Sequence, residues 1–132
     1  MKFIYSPLPE FSDRPTVNEL VEKLLEPEFS EVTEELLVLP LAVGENFPDW
    51  KYAQDICLRL AEHNNNQIRA NACLGLAYIA RTKGKLEKHL VKPILLRELR
   101  SQTEWRWRVE DAIQDINIYL QWHLAFKHLE TS

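Results

Sequence analysis

Apolar side chains occupy two faces of the stretch between residues 64 and 81. One face has the spacing of an α-helix and carries Ile68, Ala72, Gly75, Leu76 and Ile79. The second face carries only small residues, namely Ala70, Cys73, Ala77 and Ala80. Because both faces must be covered, the pattern predicts a central helix packed between other helices. One of the asparagines at positions 64–66 is expected to cap it, and Gly84 to end it.

Apolar residues before this stretch also have the spacing of α-helices. A capping box that begins at Thr16 predicts the start of a first helix, and Pro27 predicts its end. Ser30 is expected to cap a second helix, which Pro40 must end or kink because proline lacks the backbone N–H. Residues 44–48 contain a glycine and a proline and are expected to form a loop.

Three further helices are expected around the central one. Asp49 is predicted to cap the third helix. Residues 86–100 are predicted to form the fifth helix, where Pro93 either kinks the helix or begins its second part. A capping box at Ser101 predicts a long sixth helix over residues 104–129. The expected core positions are Trp50, Ala53, Ile56, Cys57 and Leu60 in the third helix, Leu90, Ile94, Leu95 and Leu99 in the fifth, and Trp105, Val109, Ala112, Ile113, Ile116, Leu120 and Leu124 in the sixth.

The helices form a repeating pattern. No segment alternates apolar and polar residues as a half-buried strand does, so the sequence predicts an all-α protein. An offset of 37 residues aligns the central helix with the sixth and the third helix with the fifth, and a more degenerate copy precedes them. This periodicity predicts a single domain over residues 1–132 that folds as an α-solenoid of about three helix pairs, with repeats at about residues 12–48, 49–85 and 86–130.

The segment Ile-Arg-Ala-Asn-Ala-Cys-Leu-Gly-Leu at residues 68–76 resembles the second helix of a HEAT repeat, which typically carries a hydrophobic-Arg pair followed by small and aliphatic residues. The resemblance implies a HEAT-like α–α superhelix. Where the family often places an aspartate before the arginine, this chain has Asn64 and Asn65. The run over residues 63–84 and the later Glu-Asp-Ala-x-x-Asp-Ile segment are also similar to small HEAT-like immunity proteins of bacterial contact-dependent growth inhibition systems.

Composition and charge narrow the class of protein. Hydrophobic residues make up 45% of the 132 residues, as in a globular domain, and no apolar run approaches the ~20 residues of a membrane helix. We therefore expect a cytoplasmic protein with reduced, buried Cys57 and Cys73. Residues 1–66 contain 13 acidic and 5 basic residues, whereas residues 67–132 contain 7 acidic and 11 basic ones. This asymmetry either reflects solvated faces or marks an acidic end that meets a basic partner.

Signatures of catalysis are missing from the sequence. The histidines at positions 63, 89, 123 and 128 lack metal-ligand spacing, and neither cysteine has a second ligand at a suitable distance along the chain. No glycine-rich phosphate loop or nucleophile motif is present. The sequence therefore predicts a protein that is not an enzyme and that uses no metal and no cofactor.

The segment from Trp105 to Arg108 allows two interpretations. Trp105 belongs to the core stripe, but Trp107 lies about 200° away on a helix, so the two rings face different surroundings. Trp107 either packs on the neighbouring fifth helix or is an exposed aromatic residue beside Arg108, which is the composition of a protein-binding hot spot. The stripe of Tyr119, Trp122, Phe126 and Leu129 also needs a cover, and the alternatives are the N-terminal segment folded back, a dimer mate or a partner.

In a HEAT-like solenoid the second helix of each repeat lines the concave surface, so the resemblance implies a polar groove on these helices. The expected partner-binding residues of this groove are Asn71, Tyr78, Arg81, Trp107, Arg108, Glu110, Asp111 and Asp115. A solvated helix face is the alternative. We expect a non-catalytic protein-binding module, most specifically an immunity protein that neutralises a basic toxin, such as a nuclease, by direct binding. A generic HEAT-like adaptor or scaffold is the second interpretation. Neither nucleic acid nor a membrane is an expected partner, and a monomer or weak dimer is expected.

Overall fold

The computed structural model describes residues 13–125. Over this range the chain forms helices and connecting segments with no β-strand, so the all-α prediction is confirmed. None of these helices is both long and apolar enough to cross a membrane. The helices are α1 (Arg14–Leu24), α2 (Glu34–Leu37), α3 (Leu39–Asn46), α4 (Trp50–Leu60), α5 (Asn66–Lys83), α6 (Lys88–Ser101) and α7 (Arg106–Leu120).

The ends of α4 and α5 lie where the sequence predicts them. The Asp49 carboxylate accepts hydrogen bonds from two backbone N–H groups in the first turn of α4. Of the three asparagines at positions 64–66, Asn65 caps α5. Its side-chain oxygen accepts hydrogen bonds from the backbone N–H groups of Gln67 at 2.8 Å and Ile68 at 3.0 Å. Gly84 ends α5 with a φ of 67°, a left-handed conformation that glycine adopts without steric cost.

The first helix begins earlier than predicted. Asp13, not Thr16, is the N-cap of α1, and its carboxylate accepts a 3.1 Å hydrogen bond from the Thr16 N–H. Pro15 lies in the first turn, where the missing N–H has no intrahelical partner to lose. Thr16 therefore lies inside the helix and does not begin it.

The predicted second helix is two helices, and the loop predicted over residues 44–48 begins only at Phe47, because residues 44–46 belong to α3. Thr33, not Ser30, caps α2, and the chain breaks at Val38 before α3 begins. Pro40 starts a helix instead of ending one, because it occupies the first turn of α3. Gly44 lies within α3 and is buried.

The last two helices also differ from the prediction. Leu90 is 42% exposed although it was expected to face the core, whereas Leu95 and Leu99 are buried as expected. Ser101 is the last residue of α6 and caps nothing, and Trp105 precedes α7 without a side-chain cap. α7 ends at Leu120, where the next residue has a φ of 55°, instead of near residue 129, which lies outside the described residues.

α5 is the central helix of the core, as predicted. All nine apolar residues of its two predicted faces are buried. It packs against α3, α4, α6 and α7. The small residues matter because α3 and α5 touch through their backbones: a Cβ atom at Gly75 would lie 2.5 Å from the carbonyl oxygen of Pro40, and one at Gly44 would lie 2.4 Å from that of Gly75.

α3, α5 and α7 lie side by side and run in the same direction. Pro40, near the start of α3, contacts the middle of α5, and Glu45, near the end of α3, pairs with Arg81 near the end of α5 at 3.2 Å. Asn71 in the first half of α5 bonds Arg108 in the first turn of α7. α4 packs on both α3 and α5, and α6 packs on both α5 and α7.

Candidate functional site

The predicted partner-binding residues lie on two adjacent helices. Asn71, Tyr78 and Arg81 belong to α5, and the remaining five belong to the first three turns of α7. Because α5 and α7 are parallel, residues at the same distance along the two helix axes face each other across the α5–α7 interface. We call the surface that results the α5–α7 surface. It consists of Asn71, Tyr78, Arg81, Trp107, Arg108, Asp111 and Asp115.

Arg108 connects the two helices. Its Nη1 group donates a hydrogen bond to the side-chain oxygen of Asn71. The Asn71 amide nitrogen in turn donates to the backbone carbonyl of Leu37 at 2.8 Å. Asn71 is buried, with 1% of its surface exposed. It is therefore a fixed acceptor that holds the Arg108 guanidinium in one place.

Two indole rings flank the same guanidinium. The central carbon of the Arg108 guanidinium lies 4.9 Å from the ring centre of Trp105 and 5.1 Å from that of Trp107. Trp105 is half-buried against the core, whereas 51% of Trp107 is exposed. Of the two interpretations of Trp107, the exposed aromatic side chain beside Arg108 is therefore the observed one. A cation–π contact on one side restrains this ring while the other side faces solvent.

Arg108 forms no ion pair with a carboxylate of residues 13–125, although Asp111 lies about one turn further along α7. Partial burial lowers the pKa of Arg108, and the charge of Tyr78 acts in the opposite direction. This isolated, partly desolvated cation is the most distinctive electrostatic feature of the α5–α7 surface.

The second half of the surface holds groups of mixed charge. Arg81 lies 4.7 Å from the ring centre of Tyr78 and forms an exposed ion pair with Glu45 of α3 at 3.2 Å. Burial raises the pKa of Tyr78. Burial also raises the pKa of Asp115, against the lowering effect of the Arg81 charge, and Asp111 adds to the increase.

Glu110 does not join this group. Its carboxylate lies 3.4 Å from Arg106, one turn away on α7. Helical geometry places both residues on the edge of α7 opposite to Arg108. Glu45, in contrast, does join the surface, although its position was expected to be a loop. The close approach of α3 and α5 brings it there.

A second polar site, which the sequence did not indicate, lies where α6 meets the segment between α4 and α5. The carboxylate of Glu98, 1% exposed, pairs with Arg69 at 3.0 Å and with Arg97 at 2.9 Å. Arg97 also pairs with Glu62 at 2.9 Å. These side chains line an open groove of about 340 Å³ beside the buried His63, whose pKa is lowered mainly by desolvation.

The groups in this groove satisfy one another. Arg69 has a glutamate partner from α6 and also donates to the backbone carbonyl of His63 at 3.0 Å. It thus departs from the aspartate–arginine pattern of the resembling family. The network joins three chain segments and leaves its charges paired, so we interpret it as structural.

Catalytic groups are not assembled in the described part of the chain. Within residues 13–125, no three His, Cys, Asp or Glu side chains are placed to hold a metal ion. Cys57 and Cys73 are free and fully buried, as predicted, and burial raises the pKa of both thiols. A buried thiol of this kind is a poor nucleophile because little thiolate is present.

Comparison with known protein families, with curated proteins and with solved structures finds no match to this chain. The proposals that follow therefore depend on the geometry described above and on the sequence resemblance. Of the two polar sites, the α5–α7 surface combines an exposed tryptophan with an arginine that forms no ion pair within residues 13–125. The groove beside α6 offers neither.

Proposed function

We propose that this protein is a non-catalytic, HEAT-like protein-binding module whose α5–α7 surface binds a protein partner. The helix arrangement supports the solenoid part of the proposal. α3, α5 and α7 are parallel neighbours, and α4 and α6 each cover a pair of them. Hydrogen bonds between successive helix pairs join residues that are 33 to 37 positions apart along the chain. This separation is close to the 37-residue period of the sequence.

The observation that carries the binding function is the restrained, exposed ring of Trp107. Tryptophan and arginine are the residue types most enriched at protein-binding hot spots. A side chain that is already held in place loses little conformational freedom when a partner binds, so more of the contact energy remains as affinity. Here Arg108 holds the ring, and the buried Asn71 holds Arg108.

The specific partner that we propose is a basic toxin domain, which this protein would neutralise as an immunity protein. The sequence resemblance supports this choice, and so does the charge of the first half of the chain. Seven glutamates lie between residues 19 and 35 and all of them are exposed, with one lysine among them. Such a field accelerates association with a positively charged partner.

The experiment compares proteins captured from cells by the wild type and by two alanine variants. Trp107→Ala removes the proposed hot spot. Leu90→Ala is the matched control, because it removes an apolar side chain that is 42% exposed on α6. A partner held through the α5–α7 surface is recovered by the wild type and by Leu90→Ala and is lost with Trp107→Ala. We expect Trp107→Ala to weaken binding by about 2 kcal/mol or more.

Kinetics on the recovered protein test the charge argument. Association with a basic toxin is expected to be fast at low salt and to slow markedly as salt rises. Asp111→Lys with Asp115→Lys is expected to weaken binding and to abolish protection of cells that express the toxin, whereas Glu104→Lys, outside the surface, leaves both intact. If no protein is recovered and the two lysine substitutions instead strengthen a salt-sensitive binding of RNA, the proposal is wrong.

A further inference from the structure

The feature of the α5–α7 surface that the proposed function leaves unexplained is that no carboxylate of residues 13–125 pairs with Arg108. A half-buried guanidinium loses hydration, and proteins normally compensate for this loss with a carboxylate or with several hydrogen bonds. In the described part of the chain, Arg108 has one side-chain hydrogen bond, to a neutral amide, and two ring contacts. Building on the proposed function, we infer that Arg108 binds a carboxylate of the protein partner, from an aspartate or glutamate side chain placed against Trp107.

The donors needed for this contact are present. An arginine guanidinium carries five N–H groups, and a carboxylate can accept from two of them at once. Asn71 accepts from Nη1, and the contacts with the two indole rings use the charge of the group without using an N–H. Most of the donors therefore remain for a partner. Because Asn71 is itself fixed by the Leu37 carbonyl at 2.8 Å, the donors are held in position before the partner arrives.

The surroundings favour a carboxylate over the phosphates of a nucleic acid. Arg81, the other cation of the surface, already pairs with Glu45. Asp111 and Asp115 follow Arg108 along α7 within about 10 Å, given the helical rise of 1.5 Å per residue. A phosphate chain that reached Arg108 would meet these two acids, which repel it. A single carboxylate next to an apolar group fits one cation beside an exposed indole.

A library of random 16-residue peptides displayed on phage provides the probe. Peptides are selected in parallel on the wild type, on Arg108→Gln and on Arg100→Gln, and their sequences are compared. Arg100→Gln is the matched control, since it makes the same substitution at an exposed arginine of α6 that lies outside the α5–α7 surface. We expect aspartate or glutamate beside an aromatic or aliphatic residue to be enriched on the wild type and on Arg100→Gln. The enrichment is expected to be lost on Arg108→Gln.

Synthetic peptides from the selection then give affinities. Loss of a charge-assisted, two-point hydrogen bond predicts binding to Arg108→Gln that is weaker by about tenfold or more. Arg108→Lys keeps the charge but not the planar fork, so an intermediate loss is expected. Replacing the acidic residue of the peptide by its amide is expected to weaken binding to the wild type and to leave binding to Arg108→Gln unchanged. An equal loss with both proteins overturns the inference.

The failures of the two proposals can be told apart. If the selected peptides need Trp107 but show no enrichment of acids, the binding surface stands and the carboxylate inference is wrong. If no peptide depends on Trp107, the proposed function fails and the inference fails with it. Thermal unfolding of every variant identifies a general loss of structure, and Arg108→Lys supplies the test if Arg108→Gln unfolds. Binding of a 20-nucleotide RNA that depends on Arg108 also overturns the inference.

Discussion

A single methyl group at Gly75 tests the packing of the central helix. In the middle of an exposed helix, replacing glycine by alanine stabilises the fold by about 1 kcal/mol, because glycine has more conformational freedom to lose. At Gly75 the added Cβ would lie 2.5 Å from the Pro40 carbonyl oxygen and 2.8 Å from the Cys57 sulfur. Neither distance is tolerated, so the backbone of α3 must move away from α5, and the Cys57 side chain must rotate or shift with α4.

The size of the effect follows from these two opposing contributions. Inserting a methyl group into a well-packed core typically costs about 1–3 kcal/mol, and sometimes more when the obstacle is backbone. The gain in helix propensity offsets about 1 kcal/mol of this cost. Gly44 limits the relief, since a Cβ there would lie only 2.4 Å from the Gly75 carbonyl oxygen and the two helices are already in backbone contact. We expect Gly75→Ala to lower the free energy of unfolding by roughly 1–2 kcal/mol.

Urea unfolding followed by circular dichroism measures the difference directly, because the transition midpoint shifts while the slope stays constant. Gly84→Ala is the informative control: nothing lies within 4 Å of a Cβ there, but its φ of 67° costs an alanine about 1 kcal/mol. Hydrogen-exchange rates in α3 should rise in Gly75→Ala and not in Gly84→Ala. A Gly75→Ala protein that is more stable than the wild type would show that α3 and α5 are not in backbone contact.

Three further predictions concern buried polar and titratable groups. Glu98→Gln should lower the free energy of unfolding by about 3–5 kcal/mol, as for a buried ion pair that loses one partner. Glu62→Gln, at the exposed end of the same ion-pair network, should lower it by about 1 kcal/mol or less. A similar loss for both variants would contradict the assignment of Glu98 as the centre of the network. Since the pKa of His63 is lowered in the fold, the unfolded chain binds the additional proton below about pH 6.5. Stability should therefore fall as the pH drops through that value, less steeply in His63→Gln. Cys57 and Cys73 should react with a thiol reagent slowly in buffer and rapidly in urea, and fast labelling in buffer would exclude the buried positions.

Local chemistry explains which helix ends were predictable. Asp49, Asn65 and Gly84 each act through their own neighbouring backbone, so a short window of sequence contains the required information. Thr16 and Ser30 have equally suitable side chains, but another cap-competent residue lies three positions away in each case and is the one that is used. Sequence alone does not rank such competitors, because the choice depends on where the rest of the helix packs.

Contacts between distant residues explain the remaining errors. Gly44 looks like a loop residue, but it lies in α3, and the close approach of Gly75, far along the chain, leaves space only for a glycine there. Leu90 has core spacing but faces solvent. At the candidate site the residue types on α5 and α7 were predictable from the repeat, whereas the exposure of Trp107 and the isolation of Arg108 follow from the relative placement of the two helices.

The position of α5 between its neighbours also fixes the order in which the molecule opens. Its amides are shielded by α3, α4, α6 and α7, so they are expected to exchange with deuterium only through global unfolding. α1 is held by the buried side chains of Val17, Val21 and Leu24, and its exposed first turn is expected to exchange through local fraying. α7 lies at the edge of the stack, and the bond from Arg108 to Asn71 couples its first turn to the most protected helix. The amides of residues 110–112, which donate to the carbonyls of the turn that presents Trp107, should therefore exchange more slowly than the amides of the last turn of the same helix.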